Sequence, residues 1–442
     1  MALPFRDPMV LVYSPKQSPR LYYTVNLLLH ELLELEYNIT SDQNAFVNYD
    51  GPKINYGSRQ FSDEIHLPPH PLLFESEVHQ QRIESAEYKG INVIFSTPRG
   101  SALPYDPFAA AFYLVSRYEE YLPFRGDQYG RFRGEKSTAY AKNFLHLPVV
   151  NHYAIHLREL LEARYPRLVF HAKSYQFVLT YDVDIAYSIL DKGFLRDTVA
   201  VSKALLQGDK NFLKLRKNVL AGLENDPYDT FEEQFRLHEK HRVYPIYFFH
   251  VGDHGAVDKS TPWTSPRVQA LIKQISSKYL HGLHPSYASN EKYGTLEMEM
   301  DRLNSITGKA TVRSRQHYLA MKFPETYRRL NEIGIQEDYT MGYQNLLGFR
   351  AGICSPFNFY DIERDEQTAL RVFPFAAMDS TLHHQMGLKA EAALEEVKTI
   401  ADEVRRVQGL FVFVAHNNLI GAASPFKGWR HSFDELIRYV KD

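Results

Sequence analysis

The sequence predicts an α/β protein in two parts: a smaller α/β domain over 1–172, and over 173–442 a parallel sheet covered by helices. Three observations lead there. At 442 residues the chain is longer than a single hydrophobic core usually serves. From about residue 173 short apolar runs alternate with amphipathic helical stretches, whereas the two kinds are mixed before it. Several of the later runs end in an acid, a histidine or an arginine, and in α/β folds the carboxyl ends of strands build the site.

In the first part, PMVLVYS (8–14) reads as an opening strand and YYTVNLLLHELLEL (22–35) has the apolar spacing of a helix. INVIFS (91–96) is a second strand. DPFAAAFYLVSRYEEYL (106–122) starts with an Asp cap and a Pro in the first helical position, so a helix is expected there. A further helix, NHYAIHLRELLEARYP (151–166), is stopped by Pro166.

In the second part the expected strands are FVLTYDVD (177–184), YPIYFFHVG (244–252), LHGLH (280–284), TVRSRQH (311–317), FPFAAMD (373–379) and LFVFVAH (410–416). The helices between them cover 265–279, 294–308, 323–334 and 389–408. The sheet they imply is either open or closed into a barrel.

Composition excludes several classes. Hydrophobic residues make up 44% and charged residues 24%, as in an ordinary globular protein. Lys+Arg is 51 against Asp+Glu 53, so no net field draws in nucleic acid or an anionic membrane. Cys354 is the single cysteine, which rules out an intrachain disulfide and a thiolate-rich zinc site. MALPFRDPMVLVYSP carries no signal-peptide core and no apolar run spans a bilayer, so the cytoplasm is the expected compartment.

Asp182 and Asp184 stand at i and i+2 and face one space if the strand continues through them. Carboxylates that close repel unless one is protonated or a cation lies beside them, and a divalent metal is the usual answer. The other reading is that each Asp caps a following turn. In HGLHPSY (281–287) His284 sits at a strand-to-loop junction, while His281, three residues earlier, faces away. SRQHY (314–318) supplies Arg315 and His317 on one face, and an arginine there can hold a carboxylate ionised. His416 closes a very apolar strand as a potential general acid or base. Arg350, in GFRAGICSPF (348–357), is either a substrate clamp or a surface residue beside a turn, and Asp379 ends another strand.

This ordered set resembles the NodB-homology polysaccharide deacetylases, carbohydrate esterase family four, in a variant branch with Asp-x-Asp. The family's Thr-Phe-Asp-Asp is similar to Thr180-Tyr181-Asp182 followed by Asp184. Its Gly-x-His resembles Gly282-Leu283-His284, and its Thr-Gly then Arg-x-Pro-Tyr resembles Thr307-Gly308 and Arg315-Gln316-His317-Tyr318. Its closing Leu-x-His resembles Val414-Ala415-His416. The likeness spans 173 to about 420. SRYEEYLPFRGDQYGRF (116–132) resembles an uncharacterised domain that precedes such modules in bacterial, notably Bacteroidetes-type, proteins.

The resemblance implies a deformed (β/α) barrel and metal-dependent removal of N-acetyl groups from an aminosugar or a surface-polysaccharide precursor. In the family a second histidine follows the first by four residues, but here that position is Ala288. His317 is expected to replace it, giving the metal ligands Asp184, His284 and His317. Zn²⁺ suits these ligands, with Co²⁺, Ni²⁺ and Fe²⁺ also compatible. Asp182 is then the general base, Arg315 its orienting partner and His416 the general acid, held by Asp338 or Asp379. Arg350, Tyr318 and Asp379 are assigned to substrate binding. Three alternatives stay open: a glycan-binding protein that has lost a ligand, a hydrolase of another C–N bond, and an Asp-x-Asp glycosyltransferase.

Overall fold

The computed structural model describes residues 9–419 and 428–441. Four short strands open the chain: β1 (Val10–Tyr13), β2 (Tyr37–Thr40), β3 (Lys53–Asn55) and β4 (Ile65–His66). They pair in parallel in the order β2-β1-β3-β4. β5 (Ser85–Tyr88) and β6 (Ile91–Ile94) follow as an antiparallel hairpin. Its turn, Lys89-Gly90, takes positive φ at both residues, the twist that matches a two-residue hairpin.

The second sheet has nine strands: β7 (Gln176–Val183), β8 (Ile246–Phe249), β9 (Leu280–Leu283), β10 (Arg313–Ser314), β11 (Glu337–Asp338), β12 (Phe357–Asp361), β13 (Glu366–Val372), β14 (Ala377–Met378) and β15 (Leu410–His416). Their order is β12-β13-β11-β10-β9-β8-β7-β15-β14, parallel except for the β12–β13 hairpin. β7, β8 and β15 are near-continuous apolar runs, as a sheet covered on both faces requires. Register aligns His416 of β15 with Asp182 of β7, so the longest pair of strands ends level.

Helices Pro266–Lys278, Thr295–Thr307, Glu325–Glu332 and Ala390–Arg406 form where the apolar periodicity predicts them. The first is capped by Ser265, whose hydroxyl accepts from the Val268 N–H, and has Pro at its first position. In the first part, Pro107–Val115 is buried on every side, and Asp106 caps it by accepting from the Phe108 and Ala109 N–H groups. The expected continuation to residue 122 stops at Arg117, which is left-handed (φ 55°), and a short 3₁₀ turn follows.

The expected strand over 311–317 pairs only at Arg313–Ser314, because the backbone turns left-handed at Tyr318 and Leu319 (φ 58° and 54°). Helices Phe194–Leu206, Lys210–Leu220 and Phe231–His241, inserted between β7 and β8, are not among the predicted elements. Buried apolar residues from both parts, Val10 and Phe112 as well as Tyr181 and Phe413, belong to one contiguous core. Among the described residues no helix is long and apolar enough to cross a membrane.

Candidate active site

The carboxyl ends of β7, β9, β10 and β15 open into one cleft of about 600 Å³. Asp182, Asp184, His284, His317, Tyr318 and His416 all line it. The parallel register is the reason: the strands run in the same direction, so the polar residues at their carboxyl ends gather at one edge of the sheet.

Asp184, one residue beyond β7, is the centre. Its Oδ1 lies 3.0 Å from His284 Nε2 and 3.8 Å from His317 Nε2. His284 Nδ1 donates to the Arg315 carbonyl at 2.6 Å, and His317 Nδ1 donates to Asp258 Oδ1 at 2.9 Å. With Nδ1 engaged, each imidazole turns its Nε2 lone pair toward the carboxylate. Asp184 Oδ1 itself is buried and makes no hydrogen bond. Three donor atoms therefore converge, within 4.8 Å of one another, in the arrangement that fits a cation. Burial works to raise the Asp184 carboxyl, but the imidazoles of His317, His284 and His416 outweigh it and hold it far below the carboxylate range. His284 is itself lowered by burial, yet Asp182 and Asp184 raise it above the ordinary imidazole value.

Two charged pairs flank this cluster. On one side the fully buried Arg315 donates from Nη1 to Asp182 Oδ1 at 2.8 Å and from Nε to the Tyr339 carbonyl at 3.0 Å. Its guanidinium also stacks over the Phe248 ring, so it cannot swing away from Asp182. On the other side Asp379 takes the His416 backbone N–H and its Nδ1 proton, both at 2.6 Å. His416 Nε2 is thereby aimed back at the cluster, 4.0 Å from Asp184 Oδ2. Burial pulls the His416 imidazole down, but Asp379 and then Asp184 and Asp182 raise it to about 10.

Not every expected residue joins them. Arg350 is buried, with Nε and Nη2 on the Glu120 carboxylate and Nη1 on the Gly342 carbonyl, so no donor pair is left for a substrate. It ties the two parts of the chain together instead. Asp379 accepts from His416 and the Ser380 N–H and is not among the residues that line the cleft. Asp338 is buried among Ser314, Thr340 and Tyr327, away from His416. Tyr318 does face the cleft, and His281 does not line it.

Two residues were not anticipated. His250 follows β8 directly, with Nδ1 3.1 Å from the His284 carbonyl and Nε2 buried without a partner. Burial, with His317 and His284 beside it, lowers it to about 3. The strand-end pattern applied to YPIYFFHVG would have found it. Asp258 holds His317, accepts from the Tyr287 and Ala288 N–H groups, and sits in a loop with no periodic signal. Burial opposes its ionisation, but these bonds bring it to about 2. The segment 127–133 of the first part also lines the cleft, through Asp127, Gln128, Tyr129, Arg131 and Arg133.

Residues 10–166 match a family described as of unknown function (DUF7033). No curated protein matches the chain. Among solved structures, a protein of Mycobacterium smegmatis assigned as a polysaccharide deacetylase is 16% identical over 61% of this chain and 85% of its own, with a TM-score of 0.41. The polysaccharide deacetylase Bc1974 of Bacillus cereus is 11% identical over 60% of this chain and 88% of its own, at 0.29. A 4-alpha-glucanotransferase of Thermococcus litoralis is 13% identical over 61% of this chain and 37% of its own, at 0.33.

Proposed function

We propose that the protein is a metal-dependent hydrolase that removes N-acetyl groups from an aminosugar or a surface-polysaccharide precursor. On this reading 1–172 and 173–442 are its two domains, and the nine-stranded sheet is a deformed (β/α) barrel of the NodB type. The observation that carries the proposal is the orphaned Asp184 Oδ1, facing two oriented imidazoles between a carboxylate paired with arginine and an imidazole paired with carboxylate. The order of strand-end motifs over 173–420 supports the same reading.

Asp184, His284 and His317 would hold the cation, and this donor set suits Zn²⁺, with Co²⁺, Ni²⁺ or Fe²⁺ as alternatives. When bound, such a cation supplies a Lewis acid that polarises the acyl carbonyl and activates water. Asp182, held in place by Arg315 through Oδ1, takes the proton of the attacking water on Oδ2. His416, charged at neutral pH, delivers a proton from Nε2 to the departing amine nitrogen. An amine leaves poorly as an anion, so this donation is what allows the C–N bond to break. Asp379 keeps the imidazole in the orientation that makes it possible.

The test combines metal analysis of the purified protein with acetate release from acetylated aminosugar oligomers and nucleotide-sugars. Wild type is expected to carry a divalent metal and release acetate. Asp184→Ala is expected to lose both. Asp182→Asn should keep the metal and lose about 10²–10⁴-fold in turnover. Metal with sugar transfer and no acetate would replace the proposal by a glycosyltransferase, and glycan binding without any hydrolysis by a binding protein.

A further inference from the structure

The loop that the first part of the chain sends to the cleft is built around one arginine. Arg131 donates from Nε to Asp127 Oδ2 at 2.8 Å, from Nη2 to Gln344 Oε1 at 3.2 Å and from Nη1 to the Tyr318 carbonyl at 2.8 Å. Asp127 in turn accepts from the backbone N–H groups of Tyr129 and Arg131, so the carboxylate that aims Arg131 is fixed by its own loop. The Tyr129 ring lies under the Arg131 guanidinium, 4.8 Å to the centroid, and stacks on the Tyr318 ring at 4.8 Å and 28°. These contacts leave Tyr129 engaged by the protein rather than free for a ligand.

What the loop grips is unusual backbone. Tyr318 and Leu319 are consecutive non-glycine residues in the left-handed region, a conformation that persists only where the surroundings over-determine it. His317 immediately precedes them, its ring 4.3 Å from that of Tyr318. Its Nε2 lies 3.8 Å from Asp184 Oδ1, where the chain has left the β10 ladder and begins to turn. Within the second part, the turn is held by local bonds from the Leu319 N–H to Gln316 and the Ala320 N–H to His317, and by longer-range ones from the His317 N–H to the Pro285 carbonyl, the Gln316 N–H to Thr340 Oγ1 and the Tyr318 hydroxyl to the Val257 carbonyl. The bond to the Tyr318 carbonyl from outside comes from Arg131.

We infer that residues 127–131, within the region matching a family of unknown function, act as a clamp that sets the His317 turn and so completes the metal-ligand set. Arg131 and Asp127 are positioning residues in this assignment: they touch neither metal nor substrate. The inference rests on the reading of Asp184, His284 and His317 as ligands. It assigns the first part of the chain a task inside the site and not merely beside it.

Co²⁺ titration of the full-length, metal-free protein, followed by its visible absorption band, tests this without turnover. Arg131→Ala is expected to weaken Co²⁺ binding about 10- to 100-fold, the usual cost of losing support behind a ligand, and to alter the band. Asp127→Asn, which keeps the shape and removes the charge, should move both in the same direction by less. Arg158→Ala, which breaks an exposed ion pair with Glu162 in the same part of the chain, should move neither. Wild-type affinity and band in Arg131→Ala would overturn the clamp; if that variant does not fold, unchanged values in Asp127→Asn would do so. Wild-type protein that binds no Co²⁺ would overturn the ligand reading and the clamp together. Co²⁺ bound by wild type and weakened by Arg131→Ala, with no acetate released, would refute the deacetylase reading and leave the clamp standing.

Discussion

Asp379 and His416 show how a single pair sets a protonation state. Burial alone would leave the imidazole neutral, and Asp379 at 2.6 Å reverses that. A base whose folded value is raised contributes stability below its unfolded value and loses it as the pH rises through the folded one. The window here runs from 6.5 to about 10. Asp379→Asn is therefore expected to move the alkaline limb of the kcat–pH profile down from near 10 toward 6.5; an unmoved limb would mean another group donates the proton. Asp184, His284, Arg315 and His416 were legible because a polar residue ending an apolar run has few other reasons to be there. The partner of Arg350 was not, and for His416 the sequence left Asp338 and Asp379 both open. Glu120 is 230 residues from Arg350, and nothing local to either position announces the other.

At the scale of elements, alternation and caps located the runs that contain β7, β8, β9, β10, β14 and β15, and missed β11 and the β12–β13 hairpin. β10 and β14 pair over only two residues of their expected runs, and β11 is too short for a period to develop. The three helices between β7 and β8 were missed although they are amphipathic; in the first of them Val199, Leu205 and Leu206 remain exposed. Helix Pro107–Val115 was recognised by its Asp-Pro start. Asp106 does more than cap it, accepting also from the Tyr56 hydroxyl and the His70 N–H at the heart of the first part. Asp106→Ala is expected to cost about 1–2 kcal/mol for the cap and more for these two stranded donors. The denaturant midpoint measures it, while metal content should stay unchanged.

For the whole molecule, the two parts are joined by buried charge as well as by a common apolar core. Arg117 reaches Glu119, Glu120, Tyr343 and the Arg350 carbonyl, and Arg350 returns to Glu120. Burial would raise the Glu120 carboxyl, but Arg350 and Arg117 hold it below the ordinary range. An acid lowered in this way stabilises the fold above its unfolded value and ceases to as the pH falls. Arg350→Ala is expected to destabilise the protein by about 3–5 kcal/mol in denaturant titrations, without a direct effect on KM. A substrate clamp would show the reverse. The sequence divided the chain near residue 172 from a change of rhythm, but contacts across that line have no signature in either half.

The β7–β15 pairing sets Asp182 and His416, the proposed proton acceptor and donor, side by side. During synthesis the acceptor and all three candidate ligands leave the ribosome well before the last strand does. A chain interrupted before β15 would hold a ligand set with nothing to protonate a leaving group. On the proposed reading, hydrolysis becomes possible only once that strand has been made and inserted next to β7, so the site would also report that the sheet is complete.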